Sequence, residues 1–165
     1  MNTKQQEQAW TGNINFHVHI EEILAQLVDI FNQSPYFKHS GMTMRLVDQQ
    51  IEAYIQMQDF MVGNRNFHIL HGGATATVLD SIGGLVAMAE LYKRANAETI
   101  EHAAKQVSRL ATMDMRVDYL APGHGEYFIA RAEALRMGKK TCTMRMNLVN
   151  NQEKLIATAI ASYSY

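Results

Sequence analysis

The sequence has few of the residues that mark several whole classes of protein. Its single cysteine, Cys142, rules out an internal disulfide and fits a reducing cytoplasm. A formal net charge of −1 provides no basic field for nucleic acid or an anionic membrane. Only 19% of the residues are charged and 47% are hydrophobic, which argues against disorder. We therefore expect a cytoplasmic globular protein without a nucleic-acid partner.

Long uninterrupted apolar runs are also missing. Residues 1–12 are polar and contain no apolar signal core, so we expect a flexible or loosely packed segment there. The most apolar stretch, residues 69–92, is interrupted by Asp80, Glu90 and several glycines, which argues against a membrane span. With 165 residues, the chain is most simply one domain, 1–165, with a sizeable core.

Apolar periodicity and two prolines divide the chain into elements. Helical spacing predicts a first helix over residues 18–33, which Ser34-Pro35 ends. Two strands over 42–47 and 51–58 follow, then a loop over 59–70 and an apolar, buried helix from Gly72. A polar helical segment is predicted over 93–109. The last third is predicted to form four strands, over 112–119, 127–136, 141–149 and 155–163.

This order sets six strands against one strongly apolar helix. Short turns between the last three strands indicate an antiparallel meander. A sheet wrapped around the helix buries the apolar faces of both. The sequence therefore predicts an α+β fold, in which a six-stranded antiparallel sheet wraps around a central helix.

The residues that open this helix have the pattern of a chemical site. His71 and two glycines, Gly72 and Gly73, begin it, and Asp80 follows about two turns later. The first amides of a helix have no partner within the helix and bind anions. A carboxylate in apolar surroundings is a candidate general base. Together these features predict a site that polarises a carbonyl and activates a water.

The spacing within the helix indicates that two chains share each site. Gly73 and Asp80 are seven residues apart, which is about 10 Å along a helix. Since a base must come within hydrogen-bond reach of the group it activates, Asp80 cannot easily serve a carbonyl held at its own helix start. We expect a two-fold dimer in which the Gly72-Gly73 corner of one chain faces Asp80 of the other.

Residues 71–90, HGGATATVLDSIGGLVAMAE, resemble the central helix of the hotdog-fold acyl-CoA thioesterases of the phenylacetic-acid-degradation (PaaI-like) group. The family pattern has HGG, an acid nine positions after the histidine, and then small residues, here Gly83-Gly84. The segment Ser40-Gly41-Met42 resembles the family as well. From about residue 18 onward, the predicted order of elements is similar to the hotdog order.

The resemblance implies hydrolysis of acyl-CoA thioesters by homodimers or dimers of dimers, with coenzyme A as part of the substrate and no separate cofactor. It implies that Asp80 is the catalytic acid residue, as general base or nucleophile. Gly72 is then an oxyanion donor, and His71 shapes the same corner. The candidate substrate contacts are Gly73, Asn66 and Ser81.

The loop before the helix departs from the family pattern. The family usually has asparagine six positions before the histidine and glycine three before it, where this chain has Arg65 and His68. Asn64 and Asn66 flank Arg65, so a shifted loop could present either one. The altered positions keep open an acyl-CoA-binding module without turnover. A second alternative is an acyl-thioester hydratase or dehydratase on the same fold, which would need an acid–base pair and could enlist His71.

Other chemistries find less support in the sequence. No G-x-S-x-G motif is present, which weighs against a serine esterase. His68 and His71 have ligand-like spacing, but zinc needs three or four ligands, and Cys142 is far away in the sequence. We expect no metal site.

Overall fold

The computed structural model describes residues 20–165, so the predicted N-terminal segment 1–12 lies outside the described residues. Its helices are α1 (Ile20–Gln33), α2 (Pro35–Ser40), α3 (Gly72–Lys93) and α4 (Ile100–Val107). Its strands are β1 (Met42–Val47), β2 (Gln50–Gln56), β3 (Val62–Asn64), β4 (Ile69–Leu70), β5 (Ala111–Tyr119), β6 (Tyr127–Met137), β7 (Thr141–Asn150) and β8 (Leu155–Ser164).

Six of the strands form one sheet in the order β1-β2-β6-β7-β8-β5. Every neighbouring pair in it is antiparallel. The helix α3 packs against β2 and against each of β5 to β8. The predicted architecture, a six-stranded antiparallel sheet around a central helix, is confirmed.

The helix α3 is the centre of the core. Its residues Val78, Leu79, Ile82 and Leu85 have no exposed surface. Within residues 20–165 it is the one helix long and apolar enough to cross a membrane, yet most of its length is buried inside the protein. A helix that is apolar on all sides belongs in such a core. The sheet encloses it as the sequence predicts.

The sequence does not predict the short helix α2. Ser34-Pro35 ends α1 as expected, but a new helix begins at once. The Ser34 hydroxyl accepts a hydrogen bond from the Phe37 amide at 3.3 Å, which caps the new helix. Pro35 occupies the first helical position, where its missing N–H costs nothing. Gly41, with φ of 69°, ends α2.

Two other segments differ from expectation. The predicted loop over 59–70 contains a 3₁₀ turn, Asp59–Met61, and the two-stranded sheet of β3 and β4. The predicted helix over 93–109 is interrupted, because the Asn96 carboxamide oxygen accepts the amides of Glu98 and Thr99. Such local bonds compete with helical ones, so α4 begins only at Ile100.

The enclosure of α3 predicts a difference between two leucines. Leu85, with 0% exposure, lies in α3, whereas Leu135 on β6 is 43% exposed. Leu85→Ala should lower the free energy of unfolding by about 2–5 kcal/mol, because it leaves a cavity. Leu135→Ala should cost less than about 1 kcal/mol. Guanidinium unfolding of both variants checks this, and equal losses would contradict the buried position of Leu85.

Candidate active site

His71 caps the start of α3 with its own side chain. Its backbone is extended (φ −62°, ψ 134°), and its imidazole Nδ1 accepts the Gly73 amide at 2.8 Å. Its carbonyl accepts the Thr75 amide at 3.1 Å. An accepting Nδ1 carries no proton, so the imidazole serves here as a helix cap. The His71 side chain therefore fixes the backbone at the corner where α3 begins.

The same bond decides which glycine amide is free. Because the Gly73 amide donates to His71, it is not free to bind an oxyanion, and the Gly72 amide is the glycine amide of the corner that remains. None of the residues in 20–165 accepts the Gly72 N–H. This amide therefore stands at the positive end of the α3 dipole, where it can donate to an oxygen with developing negative charge.

Neighbouring segments fix the position of this corner. Gly63 permits β3 to pass His71, because a Cβ there would lie 2.8 Å from the His71 Cα. Three hydrogen bonds anchor the corner: His71 N–H to the Met61 carbonyl (2.8 Å), Leu70 N–H to the Gly123 carbonyl (2.9 Å) and the Tyr119 hydroxyl to the Gly72 carbonyl (2.9 Å). The helix start is thus held by the 3₁₀ turn Asp59–Met61, by β4, by the end of β5 and by the segment that follows β5.

A groove of about 390 Å³ opens beside Gly72. Most of its lining is apolar: Ile69, Leu70, Gly72, Thr75, Tyr119, Leu120, Ala121, Pro122, Gly123 and Ile156. An extended, largely apolar ligand can lie in this groove next to the corner.

Asp80 lies farther along α3, half-buried, with its two carboxylate oxygens in different surroundings. Oδ1 accepts the Thr112 hydroxyl at 3.0 Å. The Tyr163 hydroxyl donates to the Asp80 carbonyl at 2.9 Å and lies 3.4 Å from Oδ1. None of the described residues donates to Oδ2. Residues of the sheet therefore hold Oδ1, and Oδ2 is available for a ligand or a water.

Both hydroxyls reach Asp80 because of the strand register. Thr112 on β5 and Tyr163 on β8 are direct partners across the two strands. Burial and, after it, the charge of Asp80 raise the pKa of Tyr163 well above its ordinary value. The phenol therefore stays protonated at physiological pH and acts as a donor.

One chain does not bring the free amide and the acid together. Gly72 and Asp80 are eight residues apart on α3, which is about 12 Å of helical rise. That separation agrees with the spacing argument from the sequence, and a bond reacting at the Gly72 amide lies beyond the reach of Asp80 in the same chain.

The other expected substrate contacts lie apart from these groups. Asn66 is exposed in the turn between β3 and β4, where its backbone N–H donates to Asn64 Oδ1 at 3.0 Å. No hydrogen bond links its side chain to His71 or Gly72. Ser81 is half-buried, and its hydroxyl bonds to none of the site groups. Their roles in binding substrate remain predictions.

The two histidines of the HGG region do not form a pair of metal ligands. His71 is engaged with Gly73, while His68 lies 4.0 Å from Asp59 in the β3–β4 region. Within residues 20–165, no group of three or more histidine, cysteine, aspartate or glutamate side chains could hold a metal ion.

Three residues of the site are not evident from the sequence: Tyr119, Thr112 and Tyr163. All three lie on strands of the sheet, and their hydroxyls donate hydrogen bonds to Gly72 or Asp80 of α3. Alternation along β5 and β8 indicates which side of each strand they occupy. It does not indicate which residues are opposite each other.

The cap predicts how substitutions of His71 behave. His71→Ala should lower the free energy of unfolding by about 0.5–2 kcal/mol, since the Gly73 amide loses its acceptor. His71→Asn should recover most of this loss, because asparagine is a good helix cap. Guanidinium unfolding followed by circular dichroism measures both, and equal losses would argue against the capping role.

Comparison with known proteins places the chain in a family. A model of the thioesterase superfamily matches residues 67–157. The medium/long-chain acyl-CoA thioesterase YigI of Escherichia coli strain K12 is 36% identical over 130 residues, which are 78% of this chain and 84% of that protein.

Solved structures agree with this assignment. A Shewanella oneidensis protein related to the thioesterase superfamily superposes with a TM-score of 0.82 at 37% identity, over 88% of this chain and 96% of that one. A Bacillus halodurans protein crystallised with CoA shares the fold, with a TM-score of 0.65 at 19% identity over 87% of this chain and 91% of its own. The predicted hotdog fold and thioesterase class are confirmed, and the chain belongs to the thioesterase superfamily.

Proposed function

We propose that this protein hydrolyses acyl-CoA thioesters to a free acid and coenzyme A. The observation that carries the proposal is the free Gly72 amide beside an apolar groove, on a helix that also presents the half-free carboxylate of Asp80. The E. coli relative is named for medium and long acyl chains, which suit an apolar groove. Coenzyme A enters as part of the substrate, so the reaction requires no cofactor. Membership of the PaaI-like group and a cytoplasmic location remain predictions from the sequence.

The geometry supports one role for each of the two groups. The Gly72 N–H donates to the thioester carbonyl oxygen, and the helix dipole stabilises the oxyanion that forms. Asp80 takes a proton from the attacking water, or it attacks the carbonyl itself through Oδ2. When Asp80 acts as the base, the hydroxide adds to the carbonyl carbon, the C–S bond breaks, and Asp80 returns the proton to the departing thiolate. When Asp80 attacks, the C–S bond breaks to leave an acyl anhydride on Asp80 and a thiolate that takes a proton from water. A water molecule then hydrolyses the anhydride to the free acid and restores the carboxylate. Both routes release a free thiol.

A second copy of the chain completes each site in this proposal. The 12 Å of helix between Gly72 and Asp80 prevents one chain from presenting both groups to one bond (about 1.5 Å per residue). The strand β5 is at the edge of the sheet with a single partner, β8, and its Met113 is 60% exposed. Edge strands of this kind are sites for pairing with another chain. These observations support a two-fold homodimer with composite sites, either alone or within a tetramer.

The hydratase alternative is weakened by the same geometry. Such an enzyme needs a free acid–base group, for which His71 is the candidate beside the corner. Its Nδ1 accepts the Gly73 amide, so the ring proton is on Nε2, and neither nitrogen has a free lone pair with which to act as a base.

Asp80→Asn is the first test of the mechanism. We expect it to lower the rate of thiol release from acyl-CoA esters by about 10²–10⁴-fold, because the base is lost. Folding and acyl-CoA affinity should persist. Asp29→Asn, an exposed carboxylate of α1 bonded to Gln33, is the matched control and should leave the rate unchanged. An unchanged rate in Asp80→Asn would falsify its catalytic role.

Two substitutions of Gly72 test the amide itself. Gly72→Pro removes the N–H at the first helical position, where proline fits, and the extended His71 suits a following proline. We expect a loss of about 10²–10³ in kcat. Gly72→Ala keeps the amide, and its Cβ would lie 3.4 Å from Tyr119 Cε1, an ordinary contact. Its kcat should fall far less than that of Gly72→Pro. Similar reductions of kcat in the two variants would exclude the Gly72 amide as the donor.

Mixing the variants tests the composite site. In dimers re-formed from equal amounts of Gly72→Pro and Asp80→Asn chains, half are mixed, and each mixed dimer has one unaltered site. We expect thiol release to return to about a quarter of the wild-type rate, well above either parent. If each site lies within one chain, every site carries a substitution, and the mixture is no more active than its parents.

A further inference from the structure

The face that β8 turns toward α3 consists almost entirely of small side chains. Ala157, Ala159 and Ala161 are buried there at alternate positions, and Tyr163 is the one large residue in the series. Its ring is 1% exposed. The alanines let the helix approach closely, so a large ring at the end of the series needs a recess in the helix.

Gly83 provides that recess. A Cβ added to Gly83 would overlap the Tyr163 hydroxyl oxygen and lie 2.9 Å from Met146 Sδ. A Cβ on the adjacent Gly84 would meet only ordinary contacts, 3.5 Å from Tyr163 Cε1 and 3.7 Å from Leu110. The first glycine of the pair is thus required by the phenol oxygen, and the second is not.

The hydroxyl in this recess lies directly beneath the acid. It donates to the Asp80 carbonyl at 2.9 Å, which is also the expected acceptor of the Gly84 amide within the helix, and it lies 3.4 Å from Oδ1. Resting on the proposed hydrolysis, we infer that Tyr163 is a positioning residue: its hydroxyl fixes the Asp80 backbone and Oδ1 so that Oδ2 points toward the reacting thioester.

A purely structural role would not require the hydroxyl. A phenylalanine ring would fill the same space with no polar atom to bury, whereas a buried hydroxyl costs free energy unless it is bonded. Here the bond goes to the residue that carries the proposed chemistry. Together with Thr112, its cross-strand partner, Tyr163 leaves only one carboxylate oxygen free.

Tyr163→Phe tests the inference, with Tyr165→Phe as the matched control. Tyr165 is on the same end of the chain, and its hydroxyl donates to the carbonyls of Gly138 and Thr141, remote from Asp80. Both variants lose one hydroxyl bonded to the backbone. We expect Tyr163→Phe to lower kcat for acyl-CoA hydrolysis about tenfold with KM nearly unchanged, because one positioning hydrogen bond is lost. Tyr165→Phe should keep the wild-type kcat.

A double-variant cycle with Asp80→Asn separates positioning from general damage. If Tyr163 acts through the carboxylate, Tyr163→Phe should produce no further loss of the residual rate in the Asp80→Asn background. If Tyr163→Phe lowers kcat by the same factor in both backgrounds, the inference is overturned. A wild-type kcat for Tyr163→Phe would overturn it as well. A wild-type rate for Asp80→Asn alone would instead refute the proposed role of Asp80, so the two failures are distinguishable.

A second pair of variants leaves the tyrosine in place. Gly83→Ala should displace the hydroxyl from beneath Asp80 and lower kcat about as much as Tyr163→Phe, whereas Gly84→Ala should not. Both changes replace a helical glycine by alanine, so their effects on helix propensity are matched. Equal kcat values for the two alanine variants, with both folded by circular dichroism, would contradict the inference.

Discussion

The enclosure of α3 by the sheet is the constraint on which the rest of the site depends. A helix buried on nearly every side presents polar groups where the enclosure ends, and two of these places, its first turn and Asp80, form the candidate site. The polar groups there that face the interior of the protein need a partner. The partners come from the surrounding strands and loops, as the hydroxyls of Tyr119, Thr112 and Tyr163. The strands that enclose α3 therefore also determine the geometry of the site.

The fold could be predicted because its signals are local and repeated. Apolar positions on all sides of residues 72–93 indicate a buried helix, and alternation over the last third indicates strands with short turns. The corner at His71 could be predicted because it is local too, and because the packing of a core does not require a histidine and two glycines at a helix start. The side-chain cap narrows that prediction, since it uses the Gly73 amide and leaves Gly72 free.

The groups that hold Asp80 could not be predicted, because they depend on register between strands far apart in the sequence. Thr112 is opposite Tyr163, yet the register shifts between Thr112 and Asp114. Extending the regular pairing of β5 and β8 through this irregularity assigns the wrong partner. The limit at α2 is a different, local one. Ser34-Pro35 ends α1 and also caps and starts α2, so the same two residues indicate both a helix end and a helix start.

For the double glycine in the middle of α3, Gly83-Gly84, the sequence gives part of the explanation and the structure gives the rest. Each glycine there costs a helix up to about 1 kcal/mol relative to alanine, and the sequence alone indicates only that something approaches closely. The structure distinguishes the two positions: Gly83 admits a phenol oxygen, and Gly84 admits only ordinary packing. A helix interior weakened at Gly83 is therefore what lets β8 place a hydrogen-bond donor under the acid. Glycine disfavours helix formation, yet at position 83 it is needed for the Tyr163 hydroxyl to reach Asp80.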